Sequence, residues 1–383
     1  MIESRFFDEF SYLQDVIYAD TSSVGMMPQR TLDVCTRFQR DFAHTYGRNS
    51  LNGKYGSIRR ECLAQFAALI GADPSDTAIV HDTTEGLNLL AHSLDFVPGD
   101  NVISADNEYP SVVLPFAALQ EKGLELRLVP TENGCWKAED LFARMDGRTK
   151  LVCFSLAHNH TGFLPDWKRI GEECCKRGIL FALDGIQALG RVAVDVKAWN
   201  IDYLCAAGFK GMLGGFGTGC LYCRRELQPM LKPLWIGYAN TNYEPGMENN
   251  PDHLDVPPFC AGLDKLASGA PCTYAAAALG TSLGMLNEIG IDAIWERIRG
   301  LEQKLRASLK PEIRALSWGG TEAQRSAILC LRVTAEKEAP LRYALEKARI
   351  ICFLENGLLR ISLHFFNTEE QMEKIASVLN DSL

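Results

Sequence analysis

Between residues 60 and 225, short apolar runs rich in Val, Ile and Phe alternate with stretches of helical period, and this alternation constrains the fold more than any other feature of the chain. TAIVHD, NVISAD, ELRLVP, KLVCFSLA, ILFALD and DYLCAAG read as strands, separated by helical stretches such as TEGLNLLAHSL, PSVVLPFAALQEKG and DWKRIGEECCKRG. GTGCLYCRREL supplies one further strand. Strand–helix alternation of this kind predicts an α/β fold with a mainly parallel sheet covered by helices on both faces.

After residue 225 the rhythm changes. IGYANTNYEPGMENNPDHLDVPPFCAG is polar and rich in Pro, Gly and Asn, and reads as a long loop at a boundary or functional surface. Two helical stretches follow, TYAAAALGTSLGMLNEIG and IDAIWERIRGLEQKLRASLK. Then SAILCLRV, ARIICFLE and GLLRISLHFF alternate with the helical PLRYALEKA and TEEQMEKIASVL. This tail predicts a smaller α+β domain, and 383 residues suit two or three units. The expected division is a large domain at 16–265 and a small one built from 1–15 and 266–383.

A net charge of −9 and the lack of any basic run argue against nucleic acid as a partner. The start MIESRFFDEFSYLQD has no positively charged leader followed by an apolar core, and no uninterrupted apolar stretch is long enough to span a bilayer, so a cytoplasmic, membrane-free protein is expected. The thirteen cysteines are scattered, often inside apolar segments, which is the usage of buried free thiols in a reducing compartment. Cys220 and Cys223 of CLYC have metal-site spacing, but in a strand they point to opposite faces. Cys174 and Cys175 fall on a helix and read as structural. No metal site is expected.

CAAGFKGMLGGFGTGCLYC, residues 205–223, holds a single charged side chain, Lys210. A buried lysine must be paired or lose its proton. Asp184 ends the preceding strand run, and ligands of parallel sheets bind beyond the carboxyl ends of the strands, so the two can face one crevice. An ion pair accounts for them. So does a cofactor with an aldehyde for a desolvated lysine, a ring nitrogen for a carboxylate and a phosphate for a helix N-terminus, which is pyridoxal 5′-phosphate. HDTTEGLNLL offers Asp82, Thr83 and Thr84 where a strand gives way to a helix, although a plain N-cap also explains Asp82 or Thr83. The glycine run is neither a Walker A loop, since Lys210 precedes it, nor G-x-G-x-x-G, since Cys220 occupies the third glycine position.

From YADTSSVGMMP (18–28) to LLRISLHFFNTEEQ (358–371) the chain resembles the class V aminotransferase-like, pyridoxal-phosphate-dependent enzymes, which include cysteine desulfurases, selenocysteine lyases and isopenicillin N epimerase-like proteins. The most specific match is LDGIQALGRVAVDVKAWNIDYLCAAGFKGMLGGFGTGCLY. The resemblance implies the transferase fold type I, with a seven-stranded-type sheet. It gives Lys210 the cofactor's Schiff base, Asp184 the pyridine nitrogen, Gln187 the ring oxygen or Schiff-base region, Thr83 and Thr84 the phosphate, and Asn159 the ring hydroxyl. Tyr109 in NEYPSVV would stack on the ring, and Arg360 would clamp a substrate α-carboxylate as a bidentate fork.

Three departures stand out. Ala207 and Phe209 replace a serine or threonine and a histidine that many members place near the phosphate. Ala270 replaces a threonine in the piece that reaches the partner subunit's site, leaving the backbone of Gly269. ARIICFLENGLLR is short where desulfurases carry a nucleophilic cysteine on a mobile loop before the carboxylate arginine, and its one cysteine, Cys352, sits in an apolar strand pattern. The resemblance therefore implies a homodimeric enzyme with active sites at the interface, acting at Cα or Cβ of an amino acid by transamination, epimerisation or lyase chemistry. Cysteine desulfuration or selenocysteine lysis is the alternative, and a non-catalytic cofactor-binding regulator a remoter one. His158 and His160 are candidate second acids or bases, with a structural role open for each.

Overall fold

The computed structural model describes residues 2–44, 54–242, 257–267, 269, 272–314, 317, 320–326 and 328–383. Its strands are β1 (Ile17–Tyr18), β2 (Thr77–Val80), β3 (Asn101–Ala105), β4 (Glu125–Val129), β5 (Thr149–Ser155), β6 (Leu180–Asp184), β7 (Tyr203–Ala207), β8 (Gly219–Cys223), β9 (Ile328–Arg332), β10 (Ile350–Ile351), β11 (Phe353–Glu355) and β12 (Leu358–Ser362). Seven of them form one sheet in the order β2-β8-β7-β6-β5-β3-β4. Every pairing is parallel except those of β8, which runs against both β2 and β7. These are the seven runs read as strands in the sequence. Because β8 is antiparallel to β7, the connection between them needs no crossover helix, and the loop bearing Lys210 stays at the carboxyl end of β7.

Burial on both faces explains why the strands lack polar alternation: β3, β7 and β8 are buried at every position. One face carries Val102, Cys153, Ala182, Cys205 and Cys223 against the helices Thr83–Ser93 and Pro110–Ala117. The opposite face carries Ile103, Phe154, Phe181, Leu204 and Cys220 in a core that continues through the carboxyl-terminal region to Leu379. Cys220 and Cys223 thus lie on opposite sides of the sheet, and all thirteen thiols are free. The helix Thr273–Ile289 packs on both Gln29–His44 and Lys54–Ile70.

Two segments differ from their sequence reading. PSVVLPFAALQEKG stays α-helical only to Ala117, because Pro115 removes one ladder donor, and it ends as a 3₁₀ turn at the left-handed Gly123. ARIICFLE is not one strand. Its first half, β10, pairs in parallel with β1, and its second half, β11, pairs antiparallel with β12, with Cys352 at the crossing between the two sheets. β11 and β12 are joined by Asn356-Gly357, both at positive φ, a two-residue hairpin turn. The expected loop at 236–262 is described only at its ends, where Thr241 bridges Phe259; 243–256 lie outside the described residues. No helix among the described residues is long and apolar enough to cross a membrane.

The amino-terminal segment ties the two sheets together. Ile17 N–H donates to Arg349 O at 2.9 Å, Ala19 N–H to Ile351 O at 2.8 Å, and Ser362 N–H to Ala19 O at 2.8 Å. Residues 20–25 then run under the Lys210 loop, where Gly25 N–H donates to Phe209 O at 2.7 Å. A Cβ on Gly25 would lie 1.9 Å from Lys210 O, so only glycine permits this approach.

Candidate active site

A cavity of about 210 Å³ opens at the carboxyl ends of the parallel strands, with room for one substituted aromatic ring and far too little for a dinucleotide. Thr83 and Thr84 enter it from the helix after β2, Tyr109 and Ser111 from the segment after β3, Ser155 and Asn159 from the end of β5 and beyond. Asp184 and Gln187 come from the end of β6, and Lys210 with Phe209 from the β7–β8 loop. Seven of the nine residues proposed from the sequence therefore meet in one cavity: Thr83, Thr84, Tyr109, Asn159, Asp184, Gln187 and Lys210.

The helix Thr83–Ser93 is seated by its N-cap and by one close approach. Asp82 Oδ1 accepts from Glu85 N–H at 2.8 Å, which leaves the N–H groups of Thr83 and Thr84 at the cavity end. Gly86 lies so close to β7 that a Cβ there would be 2.8 Å from Cys205 Cβ, and Tyr203 OH donates to Gly86 O at 2.6 Å. Thr83 Oγ1 accepts from Ala207 N–H at 2.9 Å, and Thr84 Oγ1 shares a 2.8 Å hydrogen bond with Ser111 Oγ. Free N–H groups and hydroxyls at a helix N-terminus suit an anion such as a phosphate.

Asp184 is buried, and its Oδ1 accepts from Ile186 N–H at 2.8 Å. Burial pushes its carboxyl well above the usual range; the hydrogen bond and the Lys210 charge pull it back only in part. Burial also lowers the Lys210 ammonium, with Arg360 and Arg191 adding to the effect and Asp184 opposing it. Asp184 thus contributes stability that is present below its ordinary pKa of 3.8 and lost as pH rises through its raised folded value. The depressed Lys210 contributes stability present above its ordinary 10.5 and lost as pH falls through its folded value. Without a ligand, the Asp184→Asn protein is therefore expected to unfold at a higher temperature than wild type at pH 8, with the gap closing towards pH 4. Thermal melts of both proteins across that range check this, and a lower melting temperature for the variant throughout would refute it.

Arg360 lies beside the cavity rather than in its lining. Buried on β12, it donates from Nη2 to Ser23 Oγ at 2.6 Å and to Asp20 Oδ1 at 3.4 Å, and from Nη1 to Asn159 O at 3.3 Å, while its Nε has no partner. Its guanidinium also covers Phe353 at 4.8 Å from the ring centre.

His158 is satisfied at both ring nitrogens. Nε2 donates to Asn107 O at 2.7 Å, and Nδ1 accepts from Thr161 Oγ1 at 3.0 Å and His160 N–H at 3.3 Å, a structural arrangement. His160 is exposed, and partial desolvation of its ring followed by the charges of His158, Arg360 and Lys210 lowers its proton affinity. The Cys352 thiol is pushed up to about 12, chiefly by burial and then by Asp20, so it is neutral at physiological pH. Gly269 is half-buried and lies outside the cavity lining. Ala270 is outside the described residues.

Several functional positions escaped the sequence reading. Glu108 turns its carboxylate inward, accepting from Ser155 N–H at 2.8 Å and Ser155 Oγ at 2.6 Å, and so anchors the segment that carries Tyr109. Burial pushes the Glu108 carboxyl up. Ser155 pairs in register with Asp184, so alignment of the strand ends could have found it. Ser22 O accepts from Gln187 Nε2 at 3.2 Å, and Arg191 follows Gln187 by four residues within a run of turns, a spacing that could have drawn attention to it. Phe209, noted in the sequence, lines the cavity and stacks on the exposed Phe216 at 4.5 Å between ring centres.

The sequence model of Aminotransferase class-V matches residues 17–375. A probable cysteine desulfurase of Methanothermobacter thermautotrophicus is 26% identical, with 96% of this chain and 95% of the relative aligned. A cysteine desulfurase of Dickeya dadantii is 30% identical over 73% of this chain and 68% of its own length, and an uncharacterized aminotransferase of Bacillus subtilis is 28% identical over 80% and 79%. Among solved structures, the apo cysteine desulfurase from Thermococcus onnurineus NA1 superposes with a TM-score of 0.87 at 21% identity, covering 100% of this chain and 98% of that one. A mutant of the protein C-DES with glycine covalently linked to its PLP cofactor superposes at 0.86 with 19% identity, covering 98% and 99%.

Proposed function

The chain belongs to the aminotransferase class-V family, and on that premise we propose that it is a pyridoxal 5′-phosphate enzyme acting at Cα or Cβ of an amino acid. The observation that carries the reading is the convergence of Lys210, Asp184 and a helix N-terminus with free donors on one small cavity. The residues fit the cofactor chemically. A lysine whose proton affinity is lowered by burial supplies a neutral amine for the aldehyde carbon, and a buried carboxylate in need of a positive partner suits a protonated ring nitrogen. When bound, the cofactor supplies an electron sink that acidifies the substrate Cα–H.

The chain's own groups do the rest. Asp184 would hold the proton on the ring nitrogen. Thr83, Thr84 and Ser111 would hold the phosphate, with Gly269 of the second subunit as a further backbone contact, and Gln187 and Asn159 would meet the ring oxygen. Tyr109 would stack on the ring. The Lys210 amine would move the proton at Cα, and Arg360, steadied by Asp20 and Ser23, would meet a substrate carboxylate with its guanidinium fork. The larger unit, 16–265, holds the cofactor, and 1–15 with 266–383 brings Arg360. The rim aromatics Tyr109, 45% exposed, and Phe216, 61% exposed, support a homodimer closing over the site. A cytoplasmic location without nucleic-acid partners completes the reading.

Cysteine desulfuration is the second reading, favoured by the names of the relatives. The neutral, half-buried Cys352 between two paired strands speaks against it, leaving transamination, epimerisation or elimination ahead. The test is a panel of amino acids, with and without an α-keto acid, read out as keto acid, ammonia and sulfide. Arg360→Lys is expected to lower kcat/KM about 10- to 100-fold without loss of bound cofactor, because a point charge cannot replace the fork. Cys352→Ser is expected to leave turnover near wild type. Sulfide release from cysteine that vanishes in the serine variant would install the desulfurase reading instead.

A further inference from the structure

Of the three buried arginines among the described residues, Arg306 pairs with Glu302 and Arg360 with Asp20, whereas Arg191, 0% exposed, has no carboxylate partner. Every hydrogen bond of its guanidinium leaves from Nη2: to Gln187 O, to Gln187 Oε1 at 3.3 Å and to Ser22 Oγ at 3.3 Å. Nε and Nη1 have no partner. A cation buried so incompletely satisfied is costly to keep, and a fold that keeps it puts the charge to use.

A guanidinium has donors only, so the side-chain oxygen of Gln187 must be the atom that faces it. The carboxamide nitrogen then lies on the other side, where one Nε2–H reaches Ser22 O at 3.2 Å and the second is left for the cavity that Gln187 lines. The arginine stem passes beneath the Lys210 loop: a Cβ on Gly211 would lie 3.1 Å from Arg191 Cγ and 3.2 Å from Nε. We propose that Arg191 is a positioning residue that forces Gln187 to present an N–H to the cofactor's ring oxygen and holds a fixed positive charge beneath Lys210. This rests on the cofactor reading above.

Lys210 is faced by Asp184 from β6, Arg360 from β12, Asp20 from the amino-terminal segment and His160 from the loop after β5. His364 Nε2–H donates to Gly211 O at 2.9 Å, and burial keeps the ring neutral, its pKa lowered to about 3. Two cations, Arg360 and Arg191, and two carboxylates, Asp184 and Asp20, therefore oppose one another around the amine, and Arg191 is the cation that makes no ion pair.

The test uses purified holoenzyme of the wild type, Arg191→Met and Arg191→Lys, with thermal melts of the cofactor-free proteins to verify folding. Two properties are read: the pH midpoint of the bound cofactor's visible absorbance, and the rate of cofactor loss on dialysis. Arg191→Met is expected to raise the midpoint by about one pH unit, since a cation near the amine is gone, and to lose cofactor several-fold faster. Arg191→Lys is expected to keep the wild-type midpoint yet lose cofactor as the methionine variant does, because a single ammonium cannot hold both Gln187 and Ser22. A methionine variant with wild-type midpoint and retention overturns the proposal, as does an equal midpoint shift in both variants. If the wild type itself takes up no pyridoxal phosphate, the cofactor reading falls and this inference with it; uptake by wild type with unchanged variants removes this inference alone.

Discussion

Lys210→Ala is expected to abolish covalent attachment of pyridoxal phosphate and to lower turnover by about 10³-fold or more, the scale of losing a group that both bonds the cofactor and moves the Cα proton. Among the described residues Lys210 is the one lysine lining the cavity, with Asp184 near enough to share its charge. Borohydride treatment of the wild type should fix the cofactor to the peptide containing residue 210, and mass spectrometry of the digest reads the site. The alanine variant should carry no fixed label while keeping a folded melting curve, because removing a buried amine relieves a desolvation cost. Label on any other lysine would end the assignment.

Asp184→Asn comes second in size. An amide of the same shape keeps the Ile186 N–H contact through its oxygen but has no charge to hold a proton on the ring nitrogen, so Cα deprotonation is expected to slow by about 10²- to 10⁴-fold. Cofactor attachment through Lys210 should survive. Exchange of the substrate Cα proton with deuterated solvent measures this step apart from the rest of turnover, and near wild-type exchange would make Asp184 a structural carboxylate. The same substitution is expected to stabilise the cofactor-free protein at pH 8, so stability and activity should move in opposite directions.

The site was legible in the sequence where one residue's role follows from its own chemistry and its place at a strand end. Lys210 stood out as a lone charge in an apolar run, Asp184 closed a strand, and Thr83 and Thr84 opened a helix. The seven-stranded sheet was legible because most of its strands are largely apolar runs, as burial on both faces demands, while the edge strand β4 keeps Glu125 and Arg127 at the surface. The supporting residues were not legible, because their roles depend on partners far away in the chain. Ser22 and Ser23 look like turn residues until Gln187 and Arg360 are placed against them, and Glu108 looks like a surface acid until Ser155 is found beneath it. The division of ARIICFLE between two sheets was hidden for a similar reason: both halves are equally apolar, and only the threading of β1 beside β10 separates them.

That threading dictates when the active site comes into being during synthesis. Ser22 N–H is hydrogen-bonded to Ser362 Oγ across 340 positions of sequence, and Asp20 to Arg360 across the same span. Residues 17–25 must wait for residues 349–362 before they can dock. Contacts of such long range form late, since the loop they close has to be ordered first. A nascent chain released before residue 349 has all seven strands of the main sheet and the lysine loop, but nothing to hold residues 17–25 beneath that loop. Competence to bind cofactor tightly thereby waits for residues 349–362.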